Sequence, residues 1–253
     1  MPKACFVSDL HLFANRSRGD RHLEAIRDAA RQSNHCVLGG DIFDFKWSTL
    51  PSMRATVDAA VDWLHDLSVR VPDCSIHFLL GNHDYYHELI DRLPDLARDV
   101  PNFDWERFYL RLGDTMFLHG DVADRKMTAA RLEERRARVR HEQRGALHNR
   151  AYDMVVRTHL HAILPHAVYP KGVVARRILA YLRDIGHGPE DGIRHVYFGH
   201  THRAVNGFHH AGVKFHNGGA PIGRARFRIL ELEVAGDEVQ LGPQNGERRD
   251  GSA

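Results

Sequence analysis

Ser75-Ile76-His77-Phe78-Leu79-Leu80-Gly81-Asn82-His83-Asp84 is the stretch that decides the fold. Ser75 to Leu80 is a short apolar run of the kind that forms a buried strand, and it stops at a glycine followed by three residues that carry chemistry. Two upstream stretches repeat this grammar. Lys3 to Val7 runs into Ser8-Asp9-Leu10-His11, and His35 to Leu38 runs into Gly39-Gly40-Asp41-Ile42-Phe43-Asp44. Helical patterns lie between them, from about Asp20 to Gln32 and from about Ser52 to Ser68. Strands alternating with helices imply crossover connections and a mostly parallel sheet. Ligands of such sheets bind beyond the carboxyl ends of the strands, so three blocks far apart in sequence are expected on one edge.

After Pro101 the pattern changes. Phe108 to Leu112 and Thr115 to Leu118 read as two strands around a Gly113-Asp114 turn, a strong hairpin signal, and the second ends in His119-Gly120-Asp121. Three helices are expected next: Thr128 to Arg144, Leu147 to Leu164 and Val173 to Ile185, with Pro165 and Pro170 breaking between the last two. Short strands return at Val196 to Phe198, Ala204 to Phe208, Val213 to His216 and Phe227 to Val234. No repeat of fixed period runs through the chain. The sequence thus divides into a core of residues 1–121 and 193–242, a helical insert of residues 122–192, and a polar tail, 243–253, expected to be disordered.

With 253 residues, 43% of them hydrophobic and 27% charged, the chain can bury a sizeable core without disulfides. Cys5, Cys36 and Cys74 show no CxxC spacing, and an odd count argues against a disulfide framework. Cys5 and Cys36 lie in apolar runs and read as small core residues in a reducing compartment. The first residues do not read as a signal peptide, and no run approaches the roughly 20 apolar residues of a membrane span. The expected location is cytoplasmic, or peripheral to the inner face of a membrane. The net charge of +2 hides an asymmetry: Val122 to Gly186 holds 14 Lys/Arg against 6 Asp/Glu, a net of +8, and the remainder carries −6. Such a basic segment suggests either an anionic partner or a solvated helical face. Its aromatics, Tyr152, Tyr169 and Tyr181, are too few to offer a base-stacking platform, which argues against nucleic acid.

The chain has 20 histidines, and their placement sorts surface residues from metal ligands. Asp9 and His11 are two apart on extended chain and share a face. Gly39 and Gly40 let the backbone turn and bring Asp41 inward, where its two oxygens suit a bridge between cations. Asp44 is placed to orient a ligand from behind. Asn82 offers a neutral oxygen. His83 can donate to a substrate oxygen, with Asp84 expected to hold its imidazole. His119 stands past another apolar strand, and His200 and His202, in Gly199-His200-Thr201-His202-Arg203, share a face as Asp9 and His11 do. Each block has a structural explanation of its own, such as a turn aspartate or a capped loop. Five blocks, each ending an apolar strand, point to a metal centre.

In this order the blocks DxH, GD, GNHD, H and GHxH resemble the calcineurin-like metallophosphoesterase superfamily, over roughly Lys3 to Val234. The resemblance implies a four-layer α/β/β/α sandwich, an α/β fold with a helical insert as lid, and two divalent metals at one end of the paired sheets. It assigns Asp9, His11 and His202 to one metal, Asn82, His119 and His200 to the other, and Asp41 to both. It makes His83 catalytic with Asp84 as its partner. Mixed oxygen and imidazole ligands suit Mn²⁺ first, with Fe or Zn²⁺ as alternatives. The reaction implied is attack on phosphorus by a water activated between the metals, with His83 protonating the leaving oxygen.

Within the superfamily the chain looks most like the UDP-2,3-diacylglucosamine hydrolases, through the block Gly39-Gly40-Asp41-Ile42-Phe43-Asp44-Phe45-Lys46-Trp47, its size, and a helical segment between HGD and GHTHR. That branch usually carries arginine where His83 stands here. Val173, Val174, Ile178, Tyr181 and Leu182 form an apolar stripe flanked by arginines, suited either to acyl chains and an anionic membrane surface or to packing on the core. Arg125, Lys126 and Arg203 are candidates for phosphate contacts. The expected substrate is a lipid-linked nucleotide. The alternatives are a soluble nucleotide or phosphosugar, and, in another class, a metal-binding scaffold without catalysis.

Overall fold

The structure is a computed structural model describing residues 1–138, 168–223, 225–236 and 239–242. The helix expected from Leu147 to Leu164, the end of the helix expected from Thr128 to Arg144, and the tail 243–253 lie outside the described residues.

Two sheets form the centre. In the first, β1 (Lys3–Val7), β2 (His35–Gly39), β3 (Ser75–Leu79) and β4 (Phe103–Glu106) run parallel in that order, and β10 (Leu230–Glu233) closes the β1 edge antiparallel. The second begins with the expected hairpin, β5 (Tyr109–Leu112) and β6 (Thr115–Leu118), which pairs antiparallel with Leu112 opposite Thr115. β7 (His195–Phe198) lies parallel to β6, and β9 (Val213–Asn217) parallel to β7. β8 (Val205–His210) and β11 (Val239–Leu241) form the two edges, each antiparallel to its neighbour.

The two-residue period of a strand sorts the apolar residues into layers. Ala4, Phe6, Val37 and Leu79 of the first sheet meet Leu110, Leu112, Phe117 and Tyr197 of the second. The Phe6 ring lies 5.8 Å from those of both Phe117 and Tyr197. The alternate residues, Cys5, Val7, Cys36, Leu38, Ile76 and Phe78, face outward onto α1 (Leu23–Arg31), α2 (Met53–Arg70), α3 (His87–Ile90) and α4 (Leu93–Asp99). The α2 helix starts where Ser52 accepts a hydrogen bond from the Ala55 N–H at 3.1 Å, an N-cap. On the far side Met116, Leu118, Val196, Phe198, Val213 and Phe215 pack under α5 (Ala129–Ala137) and α6 (Lys171–Asp184). The layers are therefore helix, sheet, sheet, helix.

The α6 stripe has a definite partner. Val174, Ile178, Tyr181 and Leu182 are buried in the cluster over the second sheet, and Arg176 and Arg183 are exposed on the opposite side. All three cysteines are buried and free. Among the described residues no helix is long and apolar enough to cross a membrane.

Candidate metal centre

Both sheets deliver residues to one place. Asp9 and His11 follow β1, Asp41 follows β2, Asn82 follows β3, His119 follows β6, and His200 and His202 follow β7. The backbone there is strained. Asp9, His11, Asp41, His200 and His202 have φ of 55°, 49°, 52°, 64° and 51°, in the left-handed region that disfavours side chains. Among the described residues only Phe13 and Ala211 join them outside glycine. Each such residue costs about 1–3 kcal/mol and persists only where its surroundings over-determine it. Here the Asp9 and His11 N–H groups donate to the Gly40 and Asp41 carbonyls, both at 2.9 Å. The His200 N–H donates to Asp9 Oδ1 at 2.8 Å, and the His83 N–H to Asp41 Oδ1 at 2.8 Å. A side chain at Gly81 would collide with Asp41, and one at Gly199 with Asp9 and Ser8. The glycines flanking the blocks are there for close approach.

Two groups of donor atoms result. In the first, ligand atoms of Asp9, His11, Asp41 and His202 lie within 4.8 Å of one another, with His11 Nε2 3.0 Å from His202 Nε2. In the second, Asp41, His119 and His200 do the same, and Asn82 Oδ1 lies 3.1 Å from His119 Nε2 and 2.9 Å from His200 Nδ1. Asp41 belongs to both groups. Its Oδ2 is 3.9 Å from His11 Nε2 and its Oδ1 is 3.4 Å from His119 Nε2. Burial works to raise the pKa of Asp41, and the surrounding imidazoles outweigh it, holding the carboxyl well below its ordinary range.

The donor set fits divalent cations. His119 Nδ1 faces the Gly39 carbonyl at 3.2 Å, and His200 Nε2 faces Asp124 Oδ1 at 2.7 Å. Placing the ring protons on those outer nitrogens leaves His119 Nε2 and His200 Nδ1 as bare lone pairs converging on Asn82 and Asp41 oxygens. Acceptors that converge on acceptors need a cation between them, and an outer hydrogen-bond acceptor behind each imidazole is the usual support of a metal-bound histidine.

His83 is held differently from the sequence expectation. Its Nδ1 lies 3.0 Å from Asp44 Oδ1, not against Asp84. Asp44 also accepts from Arg16 Nη2 at 2.7 Å and lies 3.3 Å from His11 Nδ1, so one carboxylate orients both imidazoles. His11, Asp44 and His83 form a third close group, but the Arg16 guanidinium already compensates its carboxylate. Burial would lower the His83 pKa, and Asp44 and Asp41 outweigh it, raising it to about 9. Asp84 points the other way along the loop. It is fully buried and accepts from the N–H groups of Phe43, Ile42 and Gly81 at 2.9, 3.3 and 3.1 Å, tying the loops after β2 and β3 together. Burial and the charge on Asp41 push its carboxyl up to about 7.

Asp124 escaped the sequence reading. Besides His200, it accepts from Tyr169 Oη at 2.7 Å and pairs with Arg135, and its carbonyl accepts from Arg177 Nη1 at 2.7 Å. The signal was available, a carboxylate a few residues beyond His119, but nothing in the spacing tied it to His200. Asp121 is spent on buried Arg136, with two contacts of 2.7 and 2.8 Å. The proposed phosphate contacts are dispersed. Arg203 donates to the Tyr169 carbonyl at 2.9 Å, while Arg125 and Lys126 are exposed and line a cavity beside α5.

The sequence profile of the calcineurin-like phosphoesterases matches residues 2–204. The chain belongs to the calcineurin-like phosphoesterase family. It is a metal-dependent phosphoesterase, and its two sheets flanked by helices are the architecture of that family. No curated protein matches the sequence. Among solved structures, a dimetal phosphatase from Danio rerio is 14% identical with a TM-score of 0.47, covering 92% of this chain and 99% of that one. A second is 11% identical with a TM-score of 0.46, covering 97% of this chain and 100% of that one.

Proposed function

We propose that this phosphoesterase uses two divalent cations, Mn²⁺ ahead of Fe or Zn²⁺, to hydrolyse a phosphoester or pyrophosphate bond in a nucleotide-linked substrate of the UDP-2,3-diacylglucosamine kind. One observation carries the reading: Asp41 lies between two groups of imidazole nitrogens, with one oxygen toward each. Asp9, His11 and His202 would hold one cation, Asn82, His119 and His200 the other, and Asp41 both. Bound there, the cations supply Lewis-acid charge and lower the pKa of water toward neutrality.

The chain's own residues supply orientation and protons. The Gly39 carbonyl and Asp124 fix which nitrogens of His119 and His200 carry hydrogen. His83, with 22% of its side chain exposed, is within reach of a substrate. Asp44 accepts a hydrogen bond from its Nδ1–H and leaves Nε2–H to donate to a phosphoryl or leaving oxygen. The Asp44 carboxylate raises the His83 pKa above the ordinary imidazole value, which favours the acid form. His83→Ala should keep both metals by elemental analysis while turnover falls about 10²–10⁴-fold. Near-full activity with metal in place overturns the role.

The lipid-linked substrate draws support from the GGDIFDFKW block and goes with a cytoplasmic enzyme whose basic segment touches a membrane. A second reading, a soluble nucleotide or phosphosugar, is favoured by the burial of the α6 stripe, which occupies the apolar face that acyl chains would need. A substrate panel separates them. Hydrolysis of UDP-2,3-diacylglucosamine above nucleotide sugars, cyclic nucleotides and aryl phosphates supports the first, and the reverse order supports the second.

A further inference from the structure

We infer that the cavity beside α5 is a second anion site, which binds a further phosphate-type group of the substrate while the scissile bond lies at the metal centre. The cavity is open, has a volume of about 270 Å³, and is lined by Arg125, Lys126, Arg131, Glu134, Arg135 and Arg138. That size approaches the lower end of small-molecule sites, about 300 Å³. Five cations face one carboxylate. Arg138 is paired with Glu134, and Arg135 with Asp124. Arg125, Lys126 and Arg131 have no ion-pair partner among the described residues. Three uncompensated cations around one space repel each other, and an anion placed among them removes the repulsion. Guanidinium forks match phosphate oxygens two at a time, which favours a phosphate over a compact anion such as chloride.

The location ties the cavity to the chemistry. Arg135 is part of its wall and pairs with Asp124, and Asp124 lies 2.7 Å from His200 Nε2. One carboxylate thus separates the cavity wall from a candidate metal ligand. A substrate with a single phosphoryl group would use the centre alone, whereas one with a second anionic group set beyond the scissile bond would use both. The shared chemistry is the diphosphate, whether free in a nucleotide sugar or lipid-linked. The role in substrate choice rests on the function proposed above; the existence of the site does not.

Titration calorimetry of the metal-free full chain with inorganic pyrophosphate keeps the metal centre out of the measurement. The wild type should bind one equivalent. Arg125→Ala, Lys126→Ala and Arg131→Ala combined should weaken binding by about tenfold or more, the loss expected from charge-assisted hydrogen bonds. Should the triple variant fail to fold, Lys126→Gln and Arg131→Gln singly, both at exposed positions, should each weaken it severalfold. No binding by the wild type, or equal affinity in the variants, overturns the site. In the metal-loaded enzyme the same variants should raise KM for a diphosphate ester and change kcat little. An unchanged KM overturns the substrate role. Raised KM for nucleotide sugars identifies a soluble source of the diphosphate, and raised KM only for UDP-2,3-diacylglucosamine in mixed micelles a lipid-linked one. Pyrophosphate binding in a chain that cleaves no phosphoester would sink the proposed function and leave the anion site standing.

Discussion

Asp44 and Asp84 are both buried carboxylates near His83, and they do different things. Asp44 touches the imidazole, whereas Asp84 touches only backbone N–H groups of the loops beneath it. Asp44→Asn should lower turnover about 10–100-fold, the usual cost of losing an orienting partner. It should also shift the pH profile. Burial alone lowers the His83 pKa and Asp44 raises it, so removing that charge moves the alkaline limb of kcat to lower pH. Asp84→Ala should leave the limb in place and cost about 1–3 kcal/mol of stability for its stranded N–H groups, read from thermal unfolding. The opposite pattern would return the partnership to Asp84. The candidate ligands were legible in sequence because each stands at the carboxyl end of an apolar run. The partner of His83 was not, because Asp44 stands 39 positions earlier in the chain. Nor was the left-handed backbone at five candidate ligands, which shows only as their dihedral angles.

At the level of elements, α5 is fastened to the sheet by one buried ion pair. Arg136 is 1% exposed, meets both oxygens of Asp121, and lies over the rings of Tyr85 and Phe108 at 5.8 and 5.5 Å. Arg136→Leu leaves the Asp121 charge buried and alone, and should cost about 3–5 kcal/mol in chemical denaturation. The wild-type pair has a pH signature. Burial raises the Asp121 pKa, and Arg136 outweighs it, holding the carboxyl at about 2. A depressed folded pKa stabilises above the unfolded value, so this contribution is complete above about pH 4 and disappears as pH falls toward 2. The variant should lose that part of its acid-unfolding profile. Element type was readable where apolar residues ran together. β4 was missed: Phe103-Asp104-Trp105-Glu106 does alternate at the two-residue period of a strand, but four residues are too short a run to stand out, and the pairing with Ile76 to Leu79 is what defines it. The stripe on α6 was readable, but which surface it covers is a property of the second sheet.

Across the whole molecule, the candidate centre joins the two sheets. Asp9, His11, Asp41 and Asn82 come from the first sheet, and His119, His200 and His202 from the second. Cations held there would bind the folded chain and not the unfolded one, so unfolding should depend on metal concentration. At a hundredfold excess over Kd each site adds about 2.7 kcal/mol, and each kcal/mol is worth about 2–4 °C in a domain near this size. Mn²⁺ should therefore raise Tm by several degrees, and a chelator should reverse the rise. Asp124 tests how far the effect reaches, because it links His200 to Tyr169, Arg135 and Arg177. Asp124→Ala should weaken the His200 side about 10–100-fold. Each factor of ten removes about 1.4 kcal/mol from the metal-induced gain at fixed metal concentration. The gain is the informative quantity. The variant also strands Tyr169 and Arg135, while Arg177 keeps the backbone carbonyl of residue 124, and that loss lowers Tm with and without metal and cancels in the difference. Equal gains in both proteins would mean that His200 keeps its orientation without Asp124, and that metal binding is not transmitted to α5 and α6.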